Sequence, residues 1–206
     1  MAEDIDGFRI HHRWLDEPAQ RAMLADIRAV IAAAPLVRPV TPWGKPMSVR
    51  MTSAGRLGWV IERGRYRYAP RHPETGALWP PIPESVLTVW HKLSGWPEDP
   101  DCCLVNWYGE GARMGLHQDR DEGRFDAPVV SVSLGDPARF RIGGTTRKGP
   151  TESTILHSGD VAVMGGASRL AFHGVDRVLF GGGSLLPGGG RINLTLRVVA
   201  PGTGAP

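Results

Sequence analysis

Cysteine is nearly absent from this chain: Cys102 and Cys103, side by side, are the whole supply. Two adjacent thiols make neither a zinc knuckle nor a disulfide framework. The expectation is buried or idle thiols in a reducing compartment. Long apolar runs are missing too. The longest stretches fall well short of the roughly 20 residues a helix needs to cross a bilayer, so no membrane partner is expected. The opening "MAEDIDGF" is acidic and lacks the basic-then-apolar layout of a secretory signal. That points to the cytoplasm. There is no internal repeat and no low-complexity tract. Neither sign of charge dominates: a net charge of +3 and an isoelectric point near 9.2 say little by themselves.

What is present reads as one folded domain. A chain of 206 residues, 41% hydrophobic and 22% charged, is long enough to bury a sizeable core. "DEPAQRAMLADIRAVIAAAP" reads as a helix capped by Asp16, with Pro18 in the first turn and Pro35 past the end. Leu24, Ile27 and Ile31 recur at helical spacing and face the core. A second helix is expected from Glu84 to Leu93, with Val86, Leu87, Trp90 and Leu93 inward. Between the helices, Pro35 to Pro83 mixes proline, glycine, arginine and aromatics and reads as an irregular module of hairpins and loops. Here Lys45, Arg50, Arg56, Arg63, Arg65, Arg67 and Arg71 stand against one acid, Glu62. Clustered cations among aromatics suit an anionic partner such as nucleic acid.

From Cys102 onward the pattern changes to short, mostly alternating segments: "LVNWY", "VVSVSL", "ARFRI", "STILH", "DVAVM" and "RINLTLRVV". Turn signals separate them. Many short strands argue for a sandwich or jelly roll. "GGGSLLPGGG" is a flexible loop before the last strand, and "APGTGAP" is a disordered tail.

The chemistry centres on "GLHQDRDE". His117, Asp119 and Asp121 are two residues apart, and in an extended chain such side chains share one face. A His-x-Asp pair alone is weak, because a metal site needs a third ligand. Iron(II) oxygenases use two histidines and one carboxylate on one face of the metal. His11 and His12 lie in a polar stretch and read as solvated, while His157 precedes a turn. His72 falls in the basic module and His91 on the second helix. His173 follows a strand-like apolar run and becomes a candidate because a barrel can return it beside His117. In "RINLTLR", Arg191, Asn193, Thr195 and Arg197 share one face, opposite Ile192, Leu194 and Leu196. Buried arginines are costly without anions. A dicarboxylate cosubstrate would satisfy both, one end taking a bidentate contact and the other lying near the metal. A solvated edge-strand face is the competing reading of this strand taken alone.

Together "MSVRMTSAGRLGW", "CLVNWYGEGARMGLHQDRDE", "VVSVSLGDPARFRIGG", "HSGDVAVMGGASRLAFHG" and "RINLTLR" resemble the AlkB family of Fe(II)/2-oxoglutarate-dependent dioxygenases, in particular its bacterial alkylated-DNA repair members. The resemblance runs from about Met47 to Arg197. It implies an α+β, mostly β fold: a double-stranded β-helix, or jelly roll, with flanking N-terminal helices and a nucleotide-recognition lid. Residues 1–100 would hold the helices and the lid, 101–199 the jelly-roll core and 200–206 the tail.

By the same resemblance His117, Asp119 and His173 bind iron. Asn106, Tyr108, Arg191 and Asn193 hold 2-oxoglutarate, with Arg197 near the carboxylate at the metal. The implied reaction consumes oxygen and 2-oxoglutarate, yields succinate and carbon dioxide, and removes an N-linked methyl group as formaldehyde. The expected substrates are 1-methyladenine and 3-methylcytosine in DNA, preferably single-stranded, with double-stranded DNA and RNA as further partners. The protein is expected to be a monomer. The same chemistry on methylated RNA or a protein side chain, and a noncatalytic nucleic-acid-binding jelly roll, are the alternatives.

A base in a duplex must be flipped out to reach such a site. Trp59 and Tyr66 then offer stacking faces, with Trp59 anchoring the module to the core as its other reading. His173 could face the base from the opposite side. Asp121 would accept from an exocyclic amine or else pair with an arginine. Arg147 is a further substrate contact, and Arg120 and Lys148 could meet phosphates. Met164 departs from the family pattern, which often has tryptophan there, and is expected to alter packing near the substrate entrance.

Overall fold

The computed structural model describes residues 2–199. Its elements run β1 (Ala2–Ile5), β2 (Phe8–His11), α1 (Glu17–Ala33), β3 (Arg50–Gly55), β4 (Gly58–Glu62), β5 (Arg65–Ala69), α2 (Glu84–Leu93), β6 (Cys102–Tyr108), β7 (Met114–His117), β8 (Val129–Gly135), β9 (Ala138–Gly143), β10 (Thr151–Leu156), β11 (Val161–Met164), β12 (His173–Val178) and β13 (Arg191–Arg197). A single tight turn of helix, Gly166–Ser168, lies between β11 and β12.

Seven strands form one sheet in the order β1-β2-β11-β8-β13-β6-β3, and four form a second in the order β10-β9-β12-β7. Every pairing within them is antiparallel. The two sheets pack through a shared core in which Phe8, Met51, Leu104 and Val129 of the large sheet meet Phe140, Ile142, Leu156 and Val175 of the small one. The large sheet's other face carries Val105, Val132, Leu194 and Leu196 against Leu24, Ile27, Val86 and Trp90 of the helices. The result is three layers: helices, large sheet, small sheet. This is the mostly β jelly roll that the short alternating segments predict.

Both helices lie where the sequence puts them. The Asp16 side chain accepts from the Ala19 amide at 2.9 Å, satisfying one of the free N–H groups that open α1. Met23, Leu24, Ile27 and Val30 of α1 are buried, and Ile31 packs at the edge of the same core. In α2, Val86, Val89 and Trp90 are buried, while Leu87 and Leu93 are only half-buried. Each large apolar side chain taken fully from water contributes about 1.5–3 kcal/mol.

Three strands depart from the sequence reading. β1 and β2 form an N-terminal hairpin that joins the large sheet through β11. They are four residues each and β1 is mostly exposed, so only the short Phe8–Ile10 alternation of β2 hints at them. His11 therefore departs from the solvated reading, whereas His12 stays exposed while paired with acids. His11 is half-buried, and the His12 ring lies 2.8 Å from Glu3 and 3.3 Å from Asp160. β3 belongs to the large sheet beside β6, not to an irregular module. The first hundred residues thus supply three core strands as well as the helices. The tail expected at 200–206 lies outside the described residues. Among those described, no helix is long and apolar enough to cross a membrane.

Candidate active site

β7 and β12 pair so that His117 stands directly opposite His173. Their ring centroids are 4.6 Å apart. Gly174 makes the approach possible: a Cβ there would stand 2.6 Å from the Met114 carbonyl oxygen and 2.8 Å from that of Gly115. Asp119 follows two residues past the end of β7. It is placed by an irregular segment, not by the strand alternation assumed from sequence. The three side chains bring one donor atom each to within 4.8 Å of one another. The His117 Nε2 to Asp119 Oδ1 distance is 3.6 Å, and His173 Nε2 to Asp119 Oδ2 is 3.9 Å.

The ring orientations are fixed from behind. His117 Nδ1 donates to the Gly115 carbonyl at 2.9 Å, and His173 Nδ1 donates to the Ala171 carbonyl at 3.0 Å. A carbonyl only accepts, so Nδ1 carries the proton and each Nε2 lone pair points toward Asp119. Burial pushes the His173 pKa down to about 4, with the neighbouring His117 adding to it, so the ring is neutral near pH 7. Burial alone would raise the Asp119 carboxyl. The Arg197 guanidinium, helped by the two histidines, overrides this and holds it well below the usual carboxylate range. Two imidazoles, that of His173 neutral, and one carboxylate facing a common point fit Fe(II).

Two cavities meet here. The inner one, about 70 Å³, lies between the sheets and is lined by Asn106, Tyr108, Arg191, Asn193 and Arg197 together with the triad. Arg191 is buried. Its guanidinium donates to Ser133 Oγ at 2.7 Å and to the carbonyls of Asp136 and Leu156 at 3.3 Å each. None of those partners is charged. Burial lowers its pKa to about 10. Its Nε and the Asn106 Oδ1 find no hydrogen-bond partner among the described residues. A buried cation held only by neutral groups, beside an amide with an unused acceptor, fits one carboxylate of a small acid. Asn193 donates to Ser131 Oγ at 2.7 Å and to the Val132 carbonyl at 3.2 Å, which turns its amide along the strand.

Arg197 differs from the sequence expectation. Its Nε and Nη2 both donate to Asp119 Oδ2, at 3.0 and 2.7 Å, and its Nε lies 3.2 Å from Glu122 Oε1. Protein carboxylates already satisfy it, so a dicarboxylate is not required at both ends of β13. Glu122, Tyr68 and Arg169 complete this network and were not singled out from sequence. The Tyr68 hydroxyl donates to Glu122. Arg169 Nη1 donates to the Asp119 carbonyl at 2.7 Å, and its Nη2 lies 3.3 Å from Glu122 Oε2. The only signals were the acid after Asp121 in "DRDE" and the tyrosine at alternate spacing from Tyr66 in "RYRYA".

The outer cavity, about 350 Å³, is lined by Trp59, Tyr66, Asp121, Arg147, Phe172 and the metal-facing His117 and Asp119. Trp59 and Tyr66 stack with centroids 5.3 Å apart and planes 18° apart. Trp59 Nε1 donates to Asp121 Oδ2 at 2.9 Å. Partial burial raises the Asp121 carboxyl above its ordinary value, with that indole bond pulling the other way. The Arg147 guanidinium sits 5.8 Å from the Phe172 ring centroid. Arg120 borders this cavity. His173 does not: its ring packs against Phe8 and Phe140, and His117 is the histidine that faces both cavities. Met164 also lies elsewhere than expected, buried in the inner cavity and away from the substrate entrance.

The sequence pattern of the family described as "2OG-Fe(II) oxygenase superfamily" matches residues 7–197. The alpha-ketoglutarate-dependent dioxygenase AlkB homolog of Caulobacter vibrioides is 55% identical over 193 residues, covering 94% of this chain and 88% of that protein. The alpha-ketoglutarate-dependent dioxygenase AlkB of Escherichia coli is 44% identical over 161 residues, covering 76% and 74%. The DNA N(6)-methyladenine demethylase ALKBH1D of Arabidopsis thaliana is 44% identical over 108 residues, 48% of this chain and 24% of that protein. Among solved structures, that of OsALKBH1 superposes with a TM-score of 0.79 at 28% identity, covering 96% of this chain and all of that one. With two imidazoles and a carboxylate converging beside a buried arginine that has no ion-pair partner among the described residues, the chain belongs to the AlkB family of the 2OG-Fe(II) oxygenases, enzymes that work with Fe(II), 2-oxoglutarate and O2.

Proposed function

We propose that this protein is an oxidative demethylase of N-alkylated bases in DNA, with 1-methyladenine and 3-methylcytosine in single strands as its preferred substrates. One observation carries the reading. The triad opens onto a cavity walled by a stacked Trp59–Tyr66 pair and the Asp121 carboxylate. An aromatic face beside an acid suits a flat, cationic methylated base. The indole or phenol stacks on it, and Asp121 accepts from its exocyclic amine.

His117, Asp119 and His173 would hold the iron. When bound, Fe(II) supplies the oxidising chemistry by which O2 and 2-oxoglutarate hydroxylate the methyl carbon. The chain's own residues position the reactants. Arg191, with Asn106 and Tyr108, anchors the far carboxylate of 2-oxoglutarate in the inner cavity. Arg197 holds Asp119 ionised and oriented. Trp59, Tyr66 and Asp121 aim the methyl group, with Arg147 at the cavity's edge. The hydroxymethylated base then sheds formaldehyde. The β4–β5 hairpin acts as the lid over this cavity, on a jelly-roll core built largely from residues 101–199. The protein is read as a cytoplasmic monomer.

The test is iron- and 2-oxoglutarate-dependent loss of one methyl group per base from methylated oligonucleotides, followed by mass. Asp119→Ala should lower turnover by more than the roughly 100-fold that losing an outer-shell partner can cost, since a metal site stripped of its carboxylate loses both affinity and geometry. Near-normal turnover in that variant removes the assignment. Competition among matched DNA, RNA and peptide substrates decides the polymer. Nucleic-acid binding untouched by chelator, with no succinate formed, would replace the enzyme with a binding module.

A further inference from the structure

Trp43 is the most exposed of the large apolar residues, at 83%. It is not on a loose tail. Residues 41–45 form a closed turn: the Thr41 amide donates to the Lys45 carbonyl at 2.9 Å, the Gly44 amide to the Thr41 carbonyl at 2.8 Å, and the Lys45 amide to Thr41 Oγ1 at 3.1 Å. An antiparallel bridge between Val40 and Pro46 closes its base. Gly44 takes a φ of 76°, which lets the chain reverse just past the indole. With Pro42 before it, the side chain stands out at the apex of a closed turn, so little backbone freedom remains to be lost there on binding.

The turn stands beside the tip of the β4–β5 hairpin, where Arg63 and Gly64 reverse the chain at positive φ. A Cβ on Gly64 would stand 4.0 Å from Pro42. The two tips share a set of cations. Arg38, Lys45, Arg63 and Arg65 are all exposed. None is ion-paired among the described residues, whereas Arg67 on the same hairpin pairs with Glu62. Met47, four residues past Trp43, lines the outer cavity. That limits the chain between them to about 14 Å, roughly four base steps at about 3.4 Å each.

We propose that Trp43 stacks on a base adjoining the one bound in the outer cavity, while Arg38, Lys45, Arg63 and Arg65 meet the phosphates around it. The proposal rests on the nucleic-acid reading above. It adds a second contact, outside the pocket, that a lone nucleotide cannot reach. Extruding a base removes a stacking partner from its neighbour, and an apolar wedge held out on a rigid turn replaces it. Base–aromatic stacking of this kind is worth about 1–3 kcal/mol per base.

The experiment compares wild type with Trp43→Ala and Trp43→Phe, using a labelled 3-methylcytosine oligonucleotide followed by fluorescence anisotropy. Turnover is measured in parallel on that oligonucleotide and on the methylated mononucleotide. Trp43→Ala should raise the oligonucleotide Kd about five- to a hundredfold, the range such stacking implies. Its loss of kcat/KM should be at least about fivefold larger on the oligonucleotide than on the mononucleotide, and Trp43→Phe should recover part of it. Replacing Arg63 and Arg65 with alanine should lower the slope of log affinity against log salt by about two. A wild type that demethylates oligonucleotides, with Trp43→Ala indistinguishable from it, overturns this proposal alone. A wild type that neither binds nor demethylates any oligonucleotide overturns the nucleic-acid reading with it.

Discussion

Arg191 and Arg197 sit at opposite ends of β13, on the same face and almost equally buried, yet their surroundings differ. Arg197 lies among carboxylates: Asp119 and Glu122 contact its guanidinium, and Tyr68 and Arg169 tie the same acids from the other side. Arg191 has a hydroxyl, two carbonyls and an unused N–H. The first arrangement is complete within the protein and serves rigidity, because it fixes a metal-facing carboxylate. The second is incomplete, a buried cation without an ion pair among the described residues, and it leaves a charge that an incoming anion would match. The difference separates structure from affinity on a single strand.

Deleting the complete end should cost the most. Arg197→Ala leaves Asp119 buried without its cation and Glu122 with Arg169 alone, and such losses run to about 3–5 kcal/mol. Urea denaturation of the metal-free protein measures it. Arg191→Ala should destabilise far less and act instead on cosubstrate use, and a fall in stability equal to that of Arg197→Ala would break the comparison.

A pH titration sharpens it next. The His173 pKa is about 4 in the folded protein against 6.5 for the free side chain. Between those values the unfolded chain binds more protons, so stability is complete above about pH 6.5 and is lost as pH falls toward 4. Integrated over that window the loss approaches about 3 kcal/mol, and denaturation at pH 7 and pH 4.5 checks the sign. Asp119 is depressed too, so it adds its own loss only below the ordinary carboxylate range.

At the incomplete end, Arg191→Lys should raise the KM for 2-oxoglutarate about tenfold to a hundredfold with a smaller change in kcat, since a point charge replaces a fork. Steady-state succinate formation measures this. Smallest of all, Trp59→Ala lies outside both ends. It should raise the KM for a methylated oligonucleotide about tenfold, within the range for one stacked base, and leave the KM for 2-oxoglutarate unchanged.

Much of this was written in local pattern. The period-2 alternation of "RINLTLR" places Arg191 and Arg197 inside and Leu194 and Leu196 against the helices, as found. The cap at Asp16 and the spacing of Leu24 and Ile27 mark α1. What stayed hidden depends on long-range pairing. β1 and β2 have four residues each and gain their place only from β11. Glu122 looks like one more acid in a polar run until Arg169 and Arg197 arrive from 47 and 75 positions away in sequence. His173 was placed with the metal, but its shielding from the outer cavity depends on Phe8 and Phe140, which come from distant strands. Asp119 belongs to a segment without period, so no strand rule could fix its direction.

Cys102 and Cys103 alternate across β6 into the two halves of the core, and neither touches solvent. Burial pushes the Cys102 thiol up to about 12 and the Cys103 thiol higher still. Thiolates, not thiols, are what peroxides attack, and they are also the stronger nucleophiles toward aldehydes. A catalyst that draws on molecular oxygen therefore exposes no cysteine thiolate among its described residues for an oxidant to meet.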